Sequence, residues 1–428
     1  MLRRLRPVHD PSLDLVMSET GSSPAASLWR QREFRAYLSA TAFSGIAVSM
    51  HQLLLSWLFI GILLLPADRV GLLQALIGFP GVFLMLWGGA SADRRDARSL
   101  LIRVYTIAPV LSLLLAFFDQ ADWIRVSTVT VWGLGMGVVI SFSSPAQQAI
   151  LNRVTGSAVQ KGVTVSTAVL LLVQMVGLTV AGQMERVGLT PVLITQAASF
   201  WAAAWMMRRV SPSPTSPTSA AGSSLRRVVE GLRAVYADRV VFDVLALNFV
   251  SSVFNAGAFV IVFPYIIKRI YNGDAALLAI MMVLFFAGGA VSNLVMLRWM
   301  PFAHPGRLFL LMQLSRIAIL YLLWVEPGFP LLVTATVAWG LNMGVTTTLA
   351  RSIVQESAAP GFRGRVLSVF SLGLIGSAPI GALVLGWMIE AFGTMNALLP
   401  SMLTSLLLFL YGWLGTGVWS YRSPGLEP

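Results

Sequence analysis

The sequence predicts an all-α membrane protein of twelve membrane-spanning helices, arranged as two pseudo-symmetric six-helix bundles. Three observations carry that prediction. The 428-residue chain is 56% hydrophobic and 11% charged, against about 45–50% apolar and about 25% charged in a typical soluble domain. Apolar runs of the roughly 20 residues needed to cross a bilayer recur along nearly its whole length. A polar gap divides those runs into two sets of six, and the two sets share an internal repeat.

Residues 1–33 form a polar tail without the apolar core, about 7–15 residues long, of a cleavable signal peptide. The first span is therefore expected to act as its own insertion signal. The first bundle occupies 34–207, with spans near 37–62, 69–91, 99–118, 124–150, 161–184 and 190–207. The gap, 208–238, contains SPSPTSPTSAAGSS (Ser211–Ser224), a Ser/Pro/Thr tract suited to a linker. LRRVVEGLRAV (Leu225–Val235) follows, its apolar residues at helical spacing and its arginines opposite, as in a helix lying on a membrane surface. The second bundle, 239–417, has spans near 239–267, 275–298, 307–324, 329–350, 366–390 and 396–417, and 418–428 form a short tail. Gly and Pro interrupt several spans, which membrane helices tolerate where neighbours satisfy the freed backbone.

Basic residues are sorted by side. All of the 30 Lys and Arg except Arg69, Arg125, Arg186, Lys268 and Arg269 fall on one face of this topology. Cytoplasmic loops collect Lys and Arg, so both termini and the central gap are expected inside the cell. The net charge of +12 thus follows from topology, and no nucleic-acid partner is expected. With no cysteine and with His9, His51 and His304 far apart, neither thiol chemistry nor a structural metal site is expected. No Ser/His/Asp grouping or phosphate-binding loop is present, so the chain is not expected to be an enzyme or to hold a cofactor.

The internal repeat aligns Lys161–Gly182 with Arg365–Gly386, each a basic residue after a polar turn followed by a Gly-punctuated helix. Gly177, Gly182, Gly376, Pro379, Gly381 and Gly386, together with Pro145 in the fourth span, are expected at helix-packing or hinge positions.

Ionisable groups inside a bilayer are costly and mark function by default. His51, halfway along the first span, is the deepest, and is the one candidate for a mid-membrane proton carrier. Gln52, Gln74, Gln174, Asn248, Asn255 and Asn342 are the neutral candidates for the pathway, each also suited to bonding helices together. Arg316, two to three turns into the ninth span, is counted with the cytoplasmic arginines. No opposing central charge is expected, so the pathway is expected to be mostly apolar and aromatic.

The turn after the second span reads GGASADRRDARSLL, Gly88–Leu101. Its Gly89, Asp93, Arg94 and Arg98 resemble the G-x-x-x-D-R-x-x-x-R signature of the major facilitator superfamily. SPAQQAIL (Ser144–Leu151), VEGLRAV and PGFRGRVLSVFSLGLIGSAPIGALVLG (Pro360–Gly386) are similar to the branch containing enterobactin-type siderophore exporters and macrolide efflux proteins. The resemblance implies alternating access, with Gly89, Asp93, Arg94, Arg98, Arg363 and Arg365 forming a cytoplasmic gate, and with the first helix lining the pathway. It implies export of a small amphipathic molecule such as a siderophore or drug from a bacterial cytoplasmic membrane, by a monomer in contact with lipid. A lipid or lysolipid transporter of the same fold is the alternative, and a non-transporting receptor or scaffold the second. Two departures leave proton antiport unsecured: VWGLGMGVVISF (Val131–Phe142) has no Arg, and Gly177-Leu178 stands where the antiporter motif has Gly-Pro.

Overall fold

A computed structural model describes residues 28–94, 96–212, 224–359 and 362–423, with the side chains of 85–94, 157, 160 and 224–228 outside the description. The N-terminal half contains α1 (Arg32–Trp57), α2 (Ala67–Arg94), α3 (Ala97–Gln120), α4 (Val126–Thr155), α5 (Val159–Ala181) and α6 (Leu189–Met207). The connecting helix α7 (Ser224–Ala237) leads to α8 (Arg239–Gly257), α9 (Ala275–Trp299), α10 (Pro305–Trp324), α11 (Phe329–Ser357), α12 (Arg363–Phe392) and α13 (Leu398–Leu414). Ten of these elements are long and apolar enough to cross a membrane. With α6 and the shorter α13 they make the twelve spans.

Local chemistry fixes many of the ends. Asp96, Asp238 and Asp274 accept backbone N–H groups at the starts of α3, α8 and α9, satisfying donors that the first helical turn leaves free. Pro305 opens α10, where a missing N–H costs nothing. Asp96 is thus a helix cap, accepting from Ser99 N at 3.2 Å and Ser99 Oγ at 2.8 Å.

Both halves repeat one packing scheme. In the first, α1 packs on α5 and α6, α2 on α4, and α3 on α4 and α6; in the second, α9 packs on α11, α10 on α11 and α13, and α8 on α12 and α13. Between halves, α2 lies against α12 and α5 against α9, again a symmetric set. The turns at the face away from the termini repeat as well. Leu64 and Asn272 are left-handed after the first and seventh spans, Asp122 and Glu326 after the third and ninth, Gly188 and Gly393 after the fifth and eleventh. Beyond its last α-turn, α1 continues through a π-helical turn, Leu58–Ile62, and α8 continues through two, Ala258–Val262 and Ile266–Ile270.

The outer surface is apolar. Leu72, Phe83, Phe117, Leu172, Leu294 and Leu297 are exposed, large apolar side chains of the kind that hydrocarbon solvates and that soluble monomers rarely expose in number. Buried apolar side chains form one continuous cluster through the N-terminal half and the part of the C-terminal half away from the termini. A separate cluster around Leu247, Phe309, Leu310, Leu349, Ile353 and Phe370 fills the rest of the C-terminal half.

Candidate substrate pathway and gates

The halves meet at the face away from the termini. Tyr265, beyond α8, donates its hydroxyl to Leu65 O at 2.7 Å. Glu390, near the end of α12, accepts the first N–H of α2, from Ala67, at 2.8 Å and pairs with Arg269 at 3.3 Å. In the N-terminal half the matching glutamate, Glu185, accepts from Trp57 Nε1 at 2.6 Å, and the Lys268 ammonium of the other half lies 5.3 Å from the Trp57 ring centre. Main chains touch beneath this lid. A Cβ added to Gly386 would stand 2.9 Å from Gly71 Cα, one on Gly78 would stand 2.6 Å from Pro379 Cγ, and one on Gly182 would stand 3.3 Å from Ala276 Cα. Small residues allow such close helix approach, which is how membrane helices associate without a hydrophobic driving force.

The repeat seen in sequence now has a physical content. Gly177 packs against α1 beside Ile46 and Ser49, and Gly381 packs against Val253 and Gly257. Gly182 and Gly386 make the equivalent contacts between halves. Pro145 and Pro379 lie inside α4 and α12, while Gly376 has open space where a Cβ would be.

At the termini face, the side chains of Gly89, Asp93 and Arg94 lie outside the described residues. Arg98 donates from Nη2 to Arg208 O, at the end of α6, at 2.8 Å. Arg363 Nε donates to Ala358 O at 3.2 Å, and Arg365 pairs with Glu230 of α7 at 3.4 Å. The connecting helix α7 packs on α12 and α8 and touches α2, so this face carries a strap between the halves.

Among the pathway candidates, His51 is buried with its ring edge-on to Trp132, centroids 4.6 Å apart, and its Nδ1 has no hydrogen-bond partner among the described residues. Asn255 accepts from Trp339 Nε1 at 2.7 Å. Asn248 lies in a groove between α7, α8 and α12. Gln52 and Gln174 are half-buried, and half-buried Gln74 leaves its Nε2 without a partner among the described residues. The two tryptophans belong to a second repeat that sequence reading missed: WGLGMGV from Trp132 and WGLNMGV from Trp339. It aligns α4 with α11 residue by residue, and Asn342 stands where α4 has Gly135.

That difference is filled by a group which sequence reading misplaced. Arg316 sits in the middle of α10, 4% exposed, not at the membrane face with the loop arginines. Its Nε and Nη2 donate to Asn342 Oδ1 at 3.3 and 3.2 Å, and its Nη1 donates to Gln313 Oε1 at 3.1 Å and to Ser251 Oγ. Asn342 Nδ2 in turn donates to Met312 O at 2.7 Å and Ser315 Oγ at 2.8 Å. A central charge therefore exists, held by three helices of one half. The signal available in sequence was its depth: the stretches 308–312 before it and 317–324 after it are apolar throughout.

Two six-helix halves sealed at one face, with paired small-residue contacts across a twofold axis, define a transporter of the major facilitator type. The chain belongs to the family of transmembrane secretion effectors, whose family model matches residues 22–416. No curated protein matches it in sequence. Solved structures share its fold. A mutant of the nucleoside transporter NupG superposes with a TM-score of 0.74 at 13% identity, covering 90% of this chain and 99% of that one. A bacterial homologue of the human lysosomal transporter Spinster, inward-facing and unoccupied, gives 0.71 at 12% identity, with 91% and 98% coverage. A D-xylose–proton symporter gives 0.66 at 12% identity, with 92% and 98% coverage. At these identities the likeness establishes the fold alone.

Proposed function

We propose that this transporter exports a small amphipathic molecule, a siderophore or drug, from the cytoplasm of a bacterium by rocking its two halves, acting as a monomer in the inner membrane. The observation carrying this reading is the placement of the seal: Gly71–Gly386, Gly182–Ala276, Glu390–Ala67 and Tyr265–Leu65 all lie at the face away from the termini. With the basic residues directing the termini inward, that seal is extracellular and the arrangement is inward-facing. An exporter must visit this state to load. The apolar composition of the spans suits an amphipathic cargo, and His51 is the proposed proton carrier, since its Nδ1 is buried without a partner among the described residues.

The chain lacks cysteine, so single-cysteine variants test the orientation directly. Ser211→Cys should react with an impermeant maleimide from the cytoplasmic side and Asn272→Cys from outside; the opposite pattern would put the seal on the cytoplasmic side and overturn the inward-facing reading. Efflux of a fluorescent amphipathic dye from everted or right-side-out vesicles, with and without a pH gradient, then tests export and coupling. A fluorescent lysolipid in the same vesicles separates the lipid-transport reading.

A further inference from the structure

We propose that Arg316 is the recognition group for an anionic moiety on the carried molecule, making the substrate an amphipathic organic anion. The proposal rests on the transport reading above and names the substrate class of that pathway.

Four observations converge. First, the guanidinium is a permanent charge buried in mid-span, and among the described residues its partners, Ser251, Gln313 and Asn342, are all neutral. Burying a cation without a counter-charge is costly, and an anion would complete the arrangement. Second, donors are left over. Gln313 is fully buried and its Nε2 has no partner among the described residues; its Oε1 is committed to Arg316 and Ser251, so reversing the amide would forfeit those bonds. Arg316 offers five N–H groups, and its four hydrogen bonds leave one unused. Both spare groups donate, and an anion accepts.

Third, the fold does not need the charge. The N-terminal half builds the same helix packing with Gly135 in the place of Asn342, pressed against Leu111. Fourth, the charge has a packing consequence. Apolar residues of the N-terminal half belong to one continuous cluster, whereas those of the C-terminal half separate into two. The layer of Ser251, Gln313, Arg316 and Asn342 lies at the break. A device that interrupts a hydrophobic core on one side of a twofold axis is asymmetric in the way a substrate is and a scaffold is not. Access follows from symmetry: α8 is the mate of α1, the helix expected to line the pathway, and Ser251 lies one turn from half-buried Asn255 on α8.

The test uses purified full-length protein in detergent and matched probes: dansyl-undecanoic acid against its methyl ester, and lysophosphatidylglycerol against lysophosphatidylcholine. The wild type should bind at least one anion on the order of tenfold more tightly than its uncharged or zwitterionic partner, as a charge-assisted contact implies. Arg316→Gln should erase that preference and Arg316→Lys should retain part of it. The pair showing the preference separates a carboxylate substrate from a lipid headgroup. Thermal unfolding of each variant controls for misfolding. If no anion is preferred by the wild type, or if a folded Arg316→Gln protein keeps the preference, the proposal is overturned. Because binding is read without flux, a protein that discriminates anions yet moves nothing would retire the transport reading alone.

Discussion

His51 and Asn255 occupy matching places in the two halves, one against Trp132 and the other bonded to Trp339. Asn255 completes its neighbour's hydrogen bond; His51 does not, and both its Nδ1 and Trp132 Nε1 are buried without partners among the described residues. Orphaned polar atoms cost about 1–3 kcal/mol each, and the proposed proton-carrier role predicts that a proton occupies this pair in part of the cycle. Replacing His51 by Ala is expected to remove the pH-dependence of vesicle flux while leaving dye binding in place. Flux that still follows pH in the variant would take His51 out of the coupling. His51 and Asn255 were legible in the sequence because a polar residue in a long apolar run stands out. The Arg316 network was not: its members lie on three helices, and no linear spacing connects Ser251, Arg316 and Asn342.

Helices and their ends carry the symmetry. Leu64 adopts φ 51°, a backbone region costing an ordinary L-residue roughly 1–2 kcal/mol, at the position matched by Asn272. Asn tolerates that region better, so Leu64→Asn should stabilise the protein by about 1 kcal/mol, seen as a small rise in the detergent unfolding midpoint. An unchanged midpoint would mean that the strain is absorbed elsewhere in the turn. The glycines act in the opposite sense. A leucine at Gly386 would meet the α2 backbone beside Ala67 and Gly71. Gly386→Leu should hold the distal face apart, lengthening spin-label distances between the outer ends of α2 and α12 and blocking flux. Distances like those of the parent would show that the seam is looser than its geometry implies. The Gly-punctuated repeat announced both helices, yet which glycine faced its own half and which faced the other depended on assembly.

Across the whole molecule, the proposed rocking cycle makes a few contacts of modest worth the candidates for setting the balance between states. Arg269 and Glu390 are 40% and 37% exposed, where an ion pair contributes at most about 1 kcal/mol after solvent screening. The Glu390 cap on α2 adds a similar amount. Too small to hold the fold, these energies are large enough to move a two-state equilibrium, about fivefold per kcal/mol. Glu390→Ala should therefore raise the outward-open population severalfold, measured as a longer component in distances across the distal face; an unaltered distribution would remove this lid from the mechanism. The gate proposed at Asp93, Arg94 and Arg98 predicts the converse shift for Asp93→Asn at the termini face.

What the sequence determined by itself was whatever depends on solvent preference along the chain: the spans, their number, the polar connection and the duplicated halves. Hydrocarbon imposes those on any stretch of about 20 apolar residues, whatever its neighbours. Tertiary structure alone decided which glycines join the halves, which face is sealed, and that Arg316 sits buried among neutral partners. Those properties belong to pairs of helices distant in the chain, and a charge declares its burial only when its neighbours are in place.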